Sequence, residues 1–103
     1  MRVLMKIELP VEQANAAMKD GSLNKKIQAI LEEQKPEAAY FVEMNGRRTP
    51  ILVVNFNDPA QIPAFAEPWF LAFNASVEMH PAMIASDLAK AEPDIAKAVK
   101  KFA

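Results

Sequence analysis

The chain has 103 residues, no cysteine and one histidine, and its 12 basic and 13 acidic residues give a formal net charge of -1. A chain of this length suits one domain that buries roughly two thirds of the surface exposed by its unfolded form. The balanced charge argues against nucleic acid as a partner, and the lack of cysteine excludes disulfides, thiolate zinc sites and thiol catalysis. Lys6 and Glu8 interrupt the apolar stretch at the start of the sequence, which argues against a signal peptide, and no apolar run approaches the length of a membrane span. We therefore expect a soluble, cytoplasmic protein with no membrane partner.

The first two predicted elements are a strand and a helix. Residues 2 to 9 alternate between apolar and polar faces, which is typical of a half-buried strand, and Pro10 ends it. From Val11 to Gln34 the apolar residues take helical spacing. Gly21 is expected to weaken that helix or to split it.

A hairpin follows the helix. Two strand-like runs flank Asn45-Gly46, the residue pair best suited to the positive φ angles of a type I′ turn. A two-residue turn places Tyr40 opposite Ile51 and makes both faces of the hairpin apolar. Because helices of so small a chain can cover only one face, we expect the other face to meet a second copy.

Pro50 has no N–H, so its strand must pair with the first strand only beyond Pro50, or through a bulge.

The second half of the chain predicts a helix, a strand and another helix. Asp58 is a suitable N-cap, while Pro63 and Pro68 each remove a backbone donor, so we expect a broken helix of short turns. Residues 75 to 80 return to a period of two, and Pro81 ends that strand. The last segment carries an apolar stripe at helical spacing: Ile95, Val99 and Phe102.

This order of elements predicts an α+β fold in one domain spanning residues 1 to 103. Residues 1 to 80 would form a ferredoxin-like βαββαβ core whose antiparallel sheet has the strand order 4-1-3-2. Residues 81 to 103 would form a C-terminal helical extension.

Several stretches resemble a known superfamily. They are the "LP" that ends the first strand, the hairpin, "FNDPAQIPAFAEPWF", and the strand that runs into "VEMHPAM". Together they resemble the dimeric α+β barrel superfamily, which includes muconolactone isomerases and cofactor-independent monooxygenases of antibiotic biosynthesis, and most closely small uncharacterised bacterial proteins within it. The resemblance implies a homodimer packed sheet against sheet, with a small organic ligand bound between sheet and helices. It implies no particular reaction, because no catalytic signature of a characterised member is present.

The sequence has no pattern typical of a metal or cofactor site. A single histidine with scattered carboxylates offers no paired metal ligands. The two glycines, Gly21 and Gly46, lie too far apart for a glycine-rich phosphate loop. We therefore expect neither a metal nor a cofactor.

Strand parity brings four ionisable groups to one patch. If Val77 faces the helices, Glu78 and His80 project to the other side of the sheet, where the first strand projects Lys6 and Glu8. A histidine beside a carboxylate can act as a general base, so His80 and Glu78 are the candidate catalytic residues. Lys6 and Glu8 are candidate ligand-binding residues, since an ammonium group can stabilise an enolate or a carboxylate. The alternative interpretation is a cross-strand salt-bridge cluster.

Three further residues are candidates for ligand binding. Tyr40 and Arg47 lie on one face of the hairpin and can orient a carboxylate, while Trp69 can line an apolar pocket. For Trp69, ordinary core packing is the alternative, because Phe70 and Phe73 share its helical spacing.

The sequence therefore favours a small homodimeric α+β barrel protein that binds a small organic ligand beside its sheet. One alternative is a cofactor-free isomerase or monooxygenase that uses His80 and Glu78. The other is a non-catalytic structural or interaction module.

Overall fold

The computed structural model describes all 103 residues as one four-stranded sheet with four helices. The strands are antiparallel and lie in the order β2-β3-β1-β4. The α+β class and the predicted strand order are thus confirmed, and the topology is compatible with a ferredoxin-like fold. A single 3-10 turn, Pro59–Gln61, precedes the third helix. In chain order the elements are β1 Arg2–Glu8, α1 Val11–Lys19, α2 Leu23–Gln34, β2 Ala38–Met44, β3 Arg47–Asn55, α3 Ile62–Phe73, β4 Ser76–Pro81 and α4 Ala85–Phe102.

The hairpin turn fixes which side chains share a face of the sheet. Asn45 and Gly46 both have positive φ angles, 55° and 75°, as a type I′ turn requires. Tyr40 lies opposite Ile51, as the two-residue turn predicts. A shift of one residue would exchange the two faces of the whole hairpin.

Pro50 limits the pairing between β1 and β3. Their ladder runs from the pair Arg2 and Asn55 to the pair Lys6 and Ile51, and it stops before Pro50. The next bond links the N–H of Leu9 to the carbonyl of Arg48 over 3.0 Å. Because proline cannot donate to a ladder, pairing begins beyond it, as expected.

The helical region of residues 11 to 34 is split at Gly21, one of the two outcomes expected. The first helix, α1, ends at Lys19, and Gly21 has a φ of 81°. Such an angle is easy for glycine and interrupts a right-handed helix.

One face of the sheet supports the hydrophobic core. Alternate residues of β1 are buried against α1, α2 and α3, while the intervening ones remain partly exposed. We call the opposite side of the sheet the open face, because its side chains on β2, such as Tyr40 and Val42, are exposed. The largest fully buried side chains of the core are Met5, Ile7, Leu9, Leu52, Val54, Trp69 and Phe73.

The third helix corrects one prediction. Instead of a series of short turns, α3 is continuous through Pro68. Proline at this position leaves the carbonyl of Ala64, four residues earlier, without its helical donor. The side-chain amide of Gln34 donates to that carbonyl at 3.4 Å and to the carbonyl of Phe65 at 2.9 Å. A buried side chain of α2 thus supplies the donor that the proline removes.

The C-terminal helix α4 is a single helix that contains Pro93 and has no buried residue. Its apolar side chains, including Leu88 and Ile95, are exposed. None of the four helices combines the length and the apolar character that crossing a membrane requires.

We predict that Gln34→Leu lowers the free energy of unfolding by about 2 to 4 kcal/mol, because three buried or partly buried polar groups lose a hydrogen-bond partner. These groups are the carbonyls of Ala64 and Phe65 and the indole N–H of Trp69, which donates to Gln34 Oε1 at 3.2 Å. Urea unfolding measures the change. The control is Gln28→Leu, at an exposed position of α2, with an expected effect within about 0.5 kcal/mol. Equal effects of the two substitutions would contradict this role of Gln34.

Candidate functional site

Five charged or ionisable side chains lie together on the open face, towards the β4 edge of the sheet. The register pairs Lys6 with Glu78 and Glu8 with Ser76, which puts the side chains of β1 and β4 on the predicted side. We call this group the charged cluster; its members are Lys6, Glu8, Arg47, Glu78 and His80.

Lys6 is the centre of the charged cluster. Its Nζ lies 3.3 Å from Glu78 Oε2 and 3.9 Å from Glu8 Oε2. On the far side of Glu78, His80 Nε2 lies 3.6 Å from the same Oε2 atom. Parity therefore predicted these four neighbours correctly, and the distances link them in one chain of contacts.

The hairpin extends the cluster beyond the residues that parity brought together. Asn45 Nδ2 donates to Glu8 Oε1 at 3.1 Å, and Arg47 Nη1 lies 3.9 Å from the same oxygen. The contact of Asn45 with Glu8 was not predicted from the sequence, although the register of the strands indicates it. Because β1 pairs with β3 as far as Lys6, the side chain of Glu8 reaches the turn end of the hairpin.

The electrostatics of the cluster centre on Glu78. The ammonium of Lys6, as hydrogen-bond donor and as a positive charge, holds the pKa of Glu78 below its usual value, and His80 adds a smaller effect in the same direction. The cluster contains two carboxylates, one ammonium and one guanidinium, so these charges balance. The contact with Glu78 can orient the imidazole of His80, whose side chain is 61% exposed in the single chain.

Two candidate residues lie apart from the cluster. Tyr40 is 63% exposed on the open face, on the far edge strand of the sheet. Trp69 lies on the other side of the sheet, fully buried in the core, where its indole bonds Gln34. The structure therefore joins five of the seven predicted site residues and separates the remaining two.

A concave region, separate from the charged cluster, lies between α1, α2 and the hairpin. We call it the hairpin cleft; its volume is about 680 Å³. Arg48 Nη1 donates to Asn15 Oδ1 across it at 2.9 Å. The sequence did not indicate this cleft, because no local motif joins α1 to β3. Its apolar lining includes Leu9, Val11, Leu23, Ile27, Phe41 and Pro50, and Arg47 also borders it.

Comparison with known proteins does not name a family for this fold and site. No protein-family model matches the chain, and no curated protein matches it. Function is therefore argued from the geometry of the charged cluster and the hairpin cleft.

We predict that Lys6→Met raises the pKa of Glu78, because it removes the donor and the positive charge that lower it. In the native protein, the stabilising effect of this ion pair is present above the unfolded pKa of Glu78 and is lost as the pH falls through the lower folded pKa. Carbon NMR titration of the Glu78 side-chain carboxyl measures this pKa in the native protein and in Lys6→Met. Lys25→Met, on the exposed side of α2, is the matched control and should leave the pKa unchanged. An unaltered titration in Lys6→Met would contradict this account.

Proposed function

We propose that the protein is a homodimer of the α+β barrel type that binds a small organic ligand beside its sheet. The observation that carries the proposal is the uncovered apolar half of the open face. Tyr40 is 63% exposed and Val42 is 41% exposed, and Ile51 and Val53 lie beside them on β3 with partial exposure. A sheet with two apolar faces needs a covering layer on each, and this chain has helices on only one.

The exposed area of the single chain also supports a homodimer. The chain exposes 7073 Å². A compact monomer of its mass exposes only about 5,800 Å², so the excess is on the order of 1,300 Å². A specific interface buries about 800 Å² per partner. The excess is therefore large enough for a stable homodimer.

The hairpin cleft is the best place for the ligand. Its volume of about 680 Å³ lies within the range of small-molecule sites, about 300 to 1,000 Å³. Exposed apolar side chains such as Val11 and Phe41 would contact the body of the ligand. Arg48 makes one hydrogen bond, to Asn15, and a guanidinium has further donors in a geometry that suits a carboxylate. The favoured ligand is therefore a small organic acid with an apolar body.

A cofactor-free isomerase or monooxygenase is the second candidate. The contact of 3.6 Å between His80 and Glu78, with Lys6 on the other side of the carboxylate, favours it. In a homodimer packed through the open face, this group would lie at the edge of the interface, where a partner copy would reduce its exposure.

We predict that the double variant Tyr40→Lys/Val42→Lys raises the dissociation constant of the dimer by more than about 100-fold, because it places charges on the proposed interface in both copies. Sedimentation equilibrium measures this constant. The matched control is Met18→Lys/Leu71→Lys, which adds the same charges to exposed apolar positions of α1 and α3. Equal effects of the two variants, or a wild-type protein that is monomeric, would contradict the proposed homodimer.

We predict that benzoate, used as a probe at millimolar concentration, shifts the amide NMR signals of Asn15, Ile27 and Arg48. The reason is that it combines a carboxylate for the guanidinium with an apolar ring for the cleft. Arg48→Met should abolish the shifts, while Lys19→Met, which removes an exposed positive charge at the end of α1, should preserve them. Shifts that are absent, or that survive in Arg48→Met, would remove this ligand class from the hairpin cleft and favour the non-catalytic module.

A further inference from the structure

The helix α4 carries an apolar stripe that nothing in its own chain covers. The helix has 18 residues and none of them is buried. At 1.5 Å per residue, it is about 27 Å long. The large side chains of the stripe are Ile84 at its N-cap, Leu88, Ile95, Val99 and Phe102, all exposed.

The stripe is continuous, and Asp87 and Glu92 lie along its two borders. Leu88, Ala91, Ile95, Ala98 and Phe102 recur at intervals of three and four residues, the spacing of a seam that packs against another surface. The same periodicity places Pro93 and the lysines of the helix on the other side. The proline therefore does not interrupt the apolar surface.

One backbone hydrogen bond ties the segment before α4 to the sheet, and a second, local one caps the helix. The N–H of Ala82 donates to the carbonyl of Arg2 at 3.0 Å, which ties the link after β4 to β1. Asp87 Oδ2 accepts from the N–H of Ile84 at 3.1 Å and caps the helix. No residue of α4 is buried, so the helix projects from the body, and the chain measures 58 Å in its longest direction against 28 Å and 20 Å in the others.

We propose that α4 is a docking arm whose apolar stripe packs on a second copy of the chain. This inference rests on the proposed homodimer and adds a second contact to it, separate from the open face. The radius of gyration is 17.1 Å, whereas a compact chain of this length has about 13 Å. Much of the excess exposed surface therefore belongs to the extended arm, and a dimer that buries this surface has the area that a stable interface needs.

Two full-length double variants test the docking arm. Leu88→Lys/Ile95→Lys places two charges within the stripe. Ala89→Lys/Ala96→Lys moves the same charges one residue along, about 100° around the helix axis, to exposed positions outside the stripe. We expect the stripe variant to raise the dimer dissociation constant at least about tenfold, and the control to leave it unchanged.

Sedimentation equilibrium and thermal unfolding at several protein concentrations separate the outcomes. If the wild type and both variants are dimers of equal affinity, the docking arm is wrong and the homodimer stands. If the stripe variant loses stability by the same amount at every concentration and keeps its affinity, the stripe packs within its own chain and the inference is overturned. If the wild type is monomeric, both the arm and the homodimer are contradicted.

Discussion

The sheet is apolar on one face and on half of the other, while the chain provides one layer of helices, and most of the structure follows from this imbalance. In β3, Leu52 and Val54 are buried against the helices, and Ile51 and Val53, which alternate with them, face the opposite side. Burial of Leu52 and Val54 stabilises the fold, since the removal of apolar area from water is the main favourable term in folding. The second pair gains the same benefit only if another layer covers the open face.

The open face has a polar half along one edge strand and an apolar half along the other. The edge strand β4 places Glu78 and His80 beside Lys6, with Glu78 Oε2 lying 3.3 Å from Lys6 Nζ and 3.6 Å from His80 Nε2. The other edge strand, β2, contributes Tyr40 and Val42, both exposed. A partner copy would cover the apolar half and leave the charged cluster near the rim of the interface, where a site open to small molecules can form.

Local chemistry made much of the fold predictable from the sequence. Asn45-Gly46 determines a type I′ turn through two positive φ angles, and the turn then sets the register of β2 and β3. Period-two alternation in β1 and β4 is enough to place Lys6 beside Glu78. Both inferences need only neighbouring residues and the geometry of a strand.

The features that the sequence did not reveal depend on contacts between distant residues. Pro68 was expected to break α3, but Gln34, on another helix, donates to the carbonyls that precede the proline. In the same way, the hairpin cleft exists because α1 packs where Asn15 can meet Arg48. No periodicity or short motif contains such information, because tertiary packing decides which helix approaches which strand.

We expect the chain to form a homodimer in solution, and small-angle X-ray scattering tests this oligomeric state directly. The forward scattering gives the mass of the particle in solution. The account predicts a mass twice the 11.4 kDa of one chain, unchanged on dilution through the micromolar range. A mass of 11.4 kDa with the radius of gyration of the single chain, 17.1 Å, would contradict it.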